Sequence, residues 1–310
     1  MTCSKQGELM VTIRCLVYNH APYLRECLNG FVMQKTNFRF EVIVHDDAST
    51  DGSTAIIREY AEKYPEIIKP IYQTENQYSK RNGAIRRIMN AHTRGKYVAM
   101  CEGDDYWIDP LKLQKQVDFL EENPEYTMCF AMASEKIENS NEEIRPFKEI
   151  ENRDYTGLEV YKEWLVATST IMCRRDIYQS ELYKEIQENK NFVFGDITLI
   201  LTCAHYGKLR GMNEIFSIYR RHAGGLTILT RGKKEFKERY AKHTYEIHKV
   251  FGKQYKKVSC FYCQSIYISL FLHSIADKND KIEFRYLKES LKISIGGTLK
   301  AIMAAIQRRY

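Results

Sequence analysis

Lys96-Tyr97-Val98-Ala99-Met100-Cys101-Glu102-Gly103-Asp104-Asp105 places five residues able to form a strand directly ahead of three carboxylates and a glycine. Packing explains none of these carboxylates, because charged groups are seldom buried unless they are paired or bound to a metal. In an open α/β sheet, ligands sit beyond the carboxyl ends of the strands. A carboxylate cluster at that place reads as a site for a hard divalent cation carrying a phosphorylated ligand. A solvated acidic turn is the plainer alternative for these residues seen alone.

On either side of this stretch, strand and helix patterns alternate. Met10–Val17 is β-rich and ends at the turn Tyr18-Asn19-His20-Ala21-Pro22, before a helix from about Tyr23 to Gln34. Glu41–His45 is a short strand running into Asp46-Asp47, and Thr50-Asp51-Gly52-Ser53 opens a helix that ends near Tyr64. Lys69–Tyr72 reads as a strand and Ala84 to about Thr93 as a helix. Asp109-Pro110 reads as a helix start, with Asp as N-cap and Pro at the first helical position. Glu125–Met132 and Thr168–Cys173 read as strands, Glu135–Asp154 as a polar excursion, and Gly195–His205 as a helix. Phe216–Tyr219 is a strand running into Arg220-Arg221-His222, and from about Lys233 the chain reads as helical. Strands separated by helices imply βαβ units and a largely parallel, three-layer sheet.

Bulk properties narrow the class. The 310 residues allow one large domain, or one domain with an appendage, and 44% hydrophobic with 28% charged residues is ordinary globular composition. No run of about 18 apolar residues marks a membrane span, and Met1–Glu8 has no apolar stretch of signal-peptide type. The nine scattered cysteines fit reduced thiols in a cytoplasmic protein. Cys260-Phe261-Tyr262-Cys263 lacks the second pair a zinc site needs. The net charge of +7 is uneven: residues 226–310 hold 18 Lys and Arg against 7 Asp and Glu, leaving 29 against 33 in the remainder. A basic C-terminal module facing something anionic follows, with a membrane surface and a nucleic acid as candidates.

Asp46-Asp47 and Asp104-Asp105 end two different strands and, in a parallel sheet, lie on one edge. One pair suits hydrogen bonding to a nucleobase or ribose, the other a divalent ion bridging phosphate oxygens. Helix capping is the alternative for the first pair.

Val11–Asn19, then Val42-Ile-Val-His-Asp46-Asp47-Ala-Ser-Thr-Asp51-Gly52-Ser53, then Gly95–Trp107 resemble, in order and spacing, three N-terminal signatures of glycosyltransferase family 2. Phe194-Gly195-Asp196 resembles the family's catalytic-base segment, and Ile218–Gly225 its closing motif. The resemblance covers about residues 9 to 225 and implies an inverting, nucleotide-sugar-dependent transferase with the GT-A fold. That fold is α/β and Rossmann-like, with a mostly parallel central sheet flanked by helices. Here it would occupy residues 1–228, and residues 229–310 would form a basic helical extension.

The same resemblance implies roles for single residues. Tyr18 and Asn19 line the nucleotide pocket, and Asp47 accepts a hydrogen bond from the base, most naturally uracil N3–H. Glu102 stands where many members have the first Asp of an Asp-x-Asp motif and faces the ribose. Asp104 is the main ligand of Mg²⁺ or Mn²⁺, with Asp105 close by as support or second ligand and His222 as a further ligand. Arg81, with Lys80 and Arg94 as alternatives, neutralises phosphate, although each is equally at home on a solvated face. Asp196 is the base that removes the acceptor hydroxyl proton; a plain helix cap is its alternative. Gly224-Gly225 would allow a lid.

The implied partners are a UDP-sugar donor and a glycan or lipid-linked glycan acceptor, as in bacterial surface polysaccharide synthesis. No nucleic-acid partner is implied. In the C-terminal region, Leu291, Ile295, Leu299, Ile302 and Ile306 alternate with Lys292, Lys300, Arg308 and Arg309. This suits an amphipathic helix on an anionic membrane at the inner face of a cell, or a helix packed on protein. Two rival functions are a metal-dependent nucleotidyltransferase and a non-catalytic nucleotide- or RNA-binding module. The first strand is not followed by the glycine- and lysine-rich phosphate loop the former would favour.

Overall fold

The computed structural model describes residues 7–276 and 281–307, so Arg308 and Arg309 lie outside the described residues. The chain divides into two compact units, Met1–Lys184 with Thr202–His222, and Glu185–Leu201 with Ala223–Tyr310. In chain order, the elements up to the sheet's midpoint are β1 (Leu9–Val17), α1 (Ala21–Val32), β2 (Arg39–Asp46), α2 (Ser53–Lys63), β3 (Ile68–Tyr72), α3 (Ala84–His92), β4 (Tyr97–Met100), β5 (Tyr106–Trp107) and α4 (Lys112–Glu122). There follow β6 (Tyr126–Ile137), β7 (Arg145–Pro146), β8 (Asp154–Tyr155), α5 (Gly157–Glu163), β9 (Met172–Arg174), α6 (Glu181–Glu188), α7 (Gly195–Tyr206) and β10 (Lys208–Arg221). The remaining helices are α8 (Leu226–Arg231), α9 (Lys234–Phe251), α10 (Lys256–Ala276), α11 (Phe284–Ile293) and α12 (Ile295–Gln307).

The first unit is built on one sheet of order β3-β2-β1-β4-β9-β6-β10-β5, with β7 and β8 attached to β6 and β10. β3, β2, β1 and β4 are mutually parallel, and β6 and β10 are parallel to each other. β9 runs antiparallel to both β4 and β6. Two reversals restore direction, so β1, β2, β4, β6 and β10 all end on the same edge. β1 is apolar on the face of Val11, Ile13, Cys15 and Val17, carries Thr12 and Arg14 on the other, and is buried along most of its length, as suits a central parallel strand. Val11, Ile13, Cys15, Val42, Val44, Tyr97 and Ala99 join Leu24, Leu28 and Phe31 of α1 and Leu113, Val117 and Leu120 of α4 in one core.

Inside this core, Thr12 Oγ1 donates to Glu41 Oε1 at 2.8 Å and accepts the amides of Arg94 and Gly95. Gly95 is required there, because a Cβ would sit 2.5 Å from the Thr12 nitrogen.

Several elements differ from the sequence reading, and β10 begins at Lys208 rather than Phe216 because it pairs with β6 from Tyr126 onward. β6 runs five residues past Met132, because β10 continues beside it and pairs Glu135, Lys136 and Ile137 with Tyr219, Arg220 and Arg221. The charge this brings into the sheet is matched: Glu135 meets Arg145 at 2.9 Å and Arg221 at 3.3 Å. Thr168–Thr170 is a 3₁₀ turn rather than strand, held by Trp107 Nε1 donating to Ser169 O and Gln116 Nε2 to Thr170 O, so only Met172–Arg174 enters the sheet. α4 begins at Lys112, and Asp109 caps the turn before it by accepting the Leu111 amide at 2.7 Å.

The second unit is helical over α8 to α12. Lys253–Ala276, whose most apolar 18-residue window has a mean hydropathy of 1.3, is long and apolar enough to cross a membrane by length and composition, although the sequence reading found no such run. It packs against α9, α11 and α12 as a helix of this unit.

Candidate active site

The acidic turn leaves β4 at the edge where β1, β2 and β10 also end. Gly103 N–H donates to Leu16 O at 2.9 Å, tying the turn to the end of β1. Only glycine fits this approach: a Cβ at Gly103 would lie 2.8 Å from His20 Nδ1 and 2.9 Å from Val17 Cγ2. Opposite, Asp51 Oδ2 accepts the Ala21 amide and Ser53 Oγ the His20 amide, so the β2–α2 loop caps the first turn of α1. His20 is thereby fixed beside the acidic turn.

Two imidazoles meet one carboxylate oxygen. Asp104 Oδ2 lies 3.1 Å from His222 Nε2 and 3.9 Å from His20 Nε2. Burial raises the Asp104 pKa, but the His222 hydrogen bond and the two imidazoles outweigh it and hold the carboxyl below its usual range. Burial also pushes His20 down, against the pull of Asp104. His20 Nδ1 is buried without a hydrogen-bond partner. Tyr23 packs at a tilt of 46° against His222, with ring centres 4.4 Å apart.

Asp105 is placed quite differently. It is buried, and its Oδ1 accepts the Arg220 amide at 2.9 Å. Burial, and then the neighbouring negative charge of Asp104, raise its pKa well above the carboxylate range. The Arg220 side chain is fully buried and clamps the turn from β10. Its Nη1 donates to Asp104 O at 2.9 Å, its Nε to Glu138 at 2.8 Å, and its Nη2 to Glu26. The guanidinium also sits 4.3 Å from the ring centre of Tyr106. Beneath, Lys112 is buried with Nζ 4.1 Å from the Trp107 ring centre and bonded to Gln116; desolvation pushes its pKa down to about 7.

Residues 15–200 match the family model described as Glycosyl transferase family 2. The chain belongs to glycosyltransferase family 2. An uncharacterized protein of Mycobacterium tuberculosis is 37% identical over 218 residues, 70% of this chain and 60% of the relative. An uncharacterized glycosyltransferase of Nostoc is 28% identical over 210 residues, 66% of this chain and 62% of the relative. The chain thus covers less than two thirds of the length of these relatives. Among solved structures, S. aureus TarS in complex with UDP-GlcNAc gives a TM-score of 0.61 at 17% identity, over 94% of this chain and 81% of that one. The mannosyltransferase PcManGT from Pyrobaculum calidifontis, in complex with GDP-Man and Mn²⁺, gives 0.55 at 14% identity, over 98% of this chain and 81% of that one. These likenesses establish the GT-A fold with its C-terminal helices.

The remaining expected site residues of this family 2 chain fall in three places. Tyr18 is half exposed at the end of β1, and Asn19 follows in a left-handed conformation (φ 56°), its Oδ1 accepting the Thr50 amide. Asp47 is buried: Oδ1 accepts the Gln77 amide at 2.7 Å and Oδ2 the Tyr78 amide at 3.0 Å. A carboxylate has about four lone-pair sites, so two remain for a ligand. Arg81 is exposed on the same loop with φ 50°. Glu102 is half-buried in the acidic turn.

Asp196 belongs to the second unit, in the first turn of α7. Its Oδ1 accepts the Ile197 amide at 2.7 Å, and burial raises its pKa although the residue is only half-buried. The segment before it is anchored on α9: His243 Nδ1 accepts the Val193 amide at 3.2 Å, and its ring meets those of Phe192 and Phe194 edge-on. Burial drives the His243 pKa down to about 3.

Sequence reasoning did not single out His20, Tyr23 or the Arg220–Glu26–Glu138 cluster. His20 carried a signal in its adjacency to Asn19. The partners of Arg220 lie 82 and 194 residues away and carried none.

Among the described residues, no group of three His, Cys, Asp or Glu side chains is arranged to close on a metal ion. The site does hold an aligned carboxylate oxygen with imidazole nitrogens beside it. That fits an ion bound through one or two protein donors and completed by substrate phosphates, the habit of Mg²⁺ and Mn²⁺.

Proposed function

We propose that this chain transfers one sugar from a UDP-sugar to a hydroxyl of a glycan or lipid-linked glycan, with inversion at the anomeric carbon. The observation that carries the reading is the Asp104 carboxylate, held at the sheet edge between two imidazoles and locked there by Arg220. Complexes of fold neighbours with UDP-GlcNAc and with GDP-Man and Mn²⁺ support it.

Asp104, with His222 beside it, would hold Mg²⁺ or Mn²⁺ on the donor diphosphate. Such an ion neutralises charge on the departing diphosphate. Asp105 supports the turn rather than the ion. Asp47, Tyr18 and Asn19 bind the nucleoside, Glu102 faces the ribose, and Arg81 meets phosphate. Asp196 takes the proton of the acceptor hydroxyl while that oxygen attacks the anomeric carbon. The bond to the diphosphate oxygen breaks on the opposite face, and UDP leaves. A carboxyl pKa raised by burial suits a base, since it improves proton affinity. A hexose or N-acetylhexosamine is the sugar, and surface polysaccharide synthesis in the cytoplasm is the setting.

A thermal-shift screen of UDP-, GDP-, dTDP- and CMP-sugars, with and without Mn²⁺, tests the donor. UDP-sugars should raise the melting temperature only with metal; at a hundred times Kd the gain is about 2.7 kcal/mol. No shift with any nucleotide sugar would overturn the reading. Asp196→Asn should cut transfer by about 10²–10⁴-fold and keep the UDP-sugar shift. Near-normal transfer by that variant would remove Asp196 as the base.

A further inference from the structure

Helix α12 is oriented against the usual rule. Its buried positions are the small residues Thr298 and Ala301, while Ile295, Leu299, Met303 and Ile306 are 68%, 56%, 56% and 51% exposed. Their spacing of four, four and three residues makes one outward stripe. The inward face is fixed by polar bonds. Gln264 of α10 donates through Nε2 to Ser294 O at 2.8 Å and Thr298 Oγ1 at 3.1 Å, and Thr298 Oγ1 lies 2.9 Å from Ser290 Oγ. Gly297 lets the helices approach closely, since a Cβ there would overlap the Gln264 amide. The side chains that specify the helix's seat are therefore mainly small and polar, and of the five large apolar ones only Ile302 is half-buried while the other four are left outside. Leu291 on α11 is likewise 42% exposed.

We infer that the outer face of α12 lies in the interface of an anionic bilayer. The stripe is Ile, Leu and Met, offering no hydrogen-bonding group by which a protein partner would be specified. Lys300 is the one charged residue on the helix, and Lys292 and Lys288 precede it. Residues 281–307 carry 5 Lys and Arg against 2 Asp and Glu. A second copy would bring the same positive surplus against itself, whereas anionic headgroups complement it. Thirteen residues rise about 20 Å, too short for a hydrocarbon core of about 30 Å, so the helix lies in the plane rather than across it. This placement rests on no part of the glycosyl-transfer reading.

The full chain should co-sediment with vesicles of 30% phosphatidylglycerol in phosphatidylcholine, and bind at least about tenfold less to phosphatidylcholine alone. The triple variant I295S/L299S/M303S should bind the anionic vesicles about tenfold or more weakly. Its melting temperature and its light-scattering mass should match the parent's. The single variant Leu299→Gln should show a smaller loss in the same direction and serves if the triple variant misfolds. Equal binding of parent and variants, equal binding to both vesicles, or no vesicle binding would each overturn the inference. So would a parent dimer that the triple variant converts to monomer, which would assign the stripe to a second copy.

Discussion

Two acidic pairs end two strands that both flank β1, yet they are wired in opposite ways. Asp46 and Asp47 are tied to loop and helix-start groups: Asp46 accepts the Ser49 amide and the Thr54 hydroxyl, and Asp47 accepts the Gln77 and Tyr78 amides. Asp104 and Asp105 divide their work. Asp105 accepts one amide of β10 and is sealed from solvent, while Asp104 keeps a fifth of its side chain exposed beside His222 and His20. Placement at the ends of β2 and β4 brings both pairs to one edge of the sheet, but what each oxygen already accepts decides what it can still bind. The first pair shapes a loop and has lone pairs to spare. The second leaves one partly exposed carboxylate, the one proposed above to hold an ion.

Asp104→Asn tests that contrast hardest. It removes the negative charge and sets an amide against two imidazoles. Several kcal/mol of leaving-group stabilisation should go with it, about a thousandfold in transfer at roughly 4 kcal/mol. Mn²⁺ binding, followed by electron paramagnetic resonance of the free ion, should be lost in parallel. Retained Mn²⁺ affinity in a folded Asp104→Asn protein would end the division of labour between Asp104 and Asp105.

Arg220→Met comes next. It strips the buried partner from Glu26 and Glu138 and unclamps Asp104 O. Breaking a buried charge cluster by removing one member costs about 3–5 kcal/mol. The pair exposed on the Glu26 side discounts this, so about 3 kcal/mol is expected in urea unfolding. Arg220→Lys should recover part of that stability but not the bond to Asp104 O. A fully stable Arg220→Met protein would show that the acidic turn does not depend on the Arg220 side chain.

Asp105→Asn should do far less. The buried oxygen can still accept the Arg220 amide, and the environment already opposes ionisation. Residues that support a ligand without touching the ion usually alter affinity by about 10–100-fold, and the isosteric change belongs at the low end, about tenfold. A loss of Mn²⁺ binding equal to that of Asp104→Asn would make Asp105 a ligand after all.

The alternating pattern and both acidic pairs were legible because they are local. Strands of four to nine residues between amphipathic helices define βαβ units, and carboxylates at strand ends stand out against apolar runs. Non-local items were not legible. The extension of β6 to Ile137 depends on β10, some eighty residues later, and a charged strand end has no periodicity to announce it. Thr168–Thr170 has strand-like composition, but its carbonyls are claimed by Trp107 and Gln116. His20 looked like a turn residue until Gly103 brought the acidic turn against it. Arg220 was one basic residue among many, and only burial with two distant glutamates distinguishes it.

Asp47→Asn is the mildest test and bears on the other half of the contrast. Asparagine keeps one acceptor but turns an NH₂ toward a backbone N–H, so one of the bonds to Gln77 or Tyr78 is lost. A net hydrogen bond is worth about 1 kcal/mol, which is roughly fivefold in affinity. UDP binding by isothermal titration should weaken by about that factor, through the loop and through the uracil contact together. Mn²⁺ affinity measured without nucleotide should not change, because neither Asp47 oxygen joins the Asp104–His222 group. A change in both would mean the two pairs act as one site, and the contrast between a loop-shaping pair and an ion-holding carboxylate would fail.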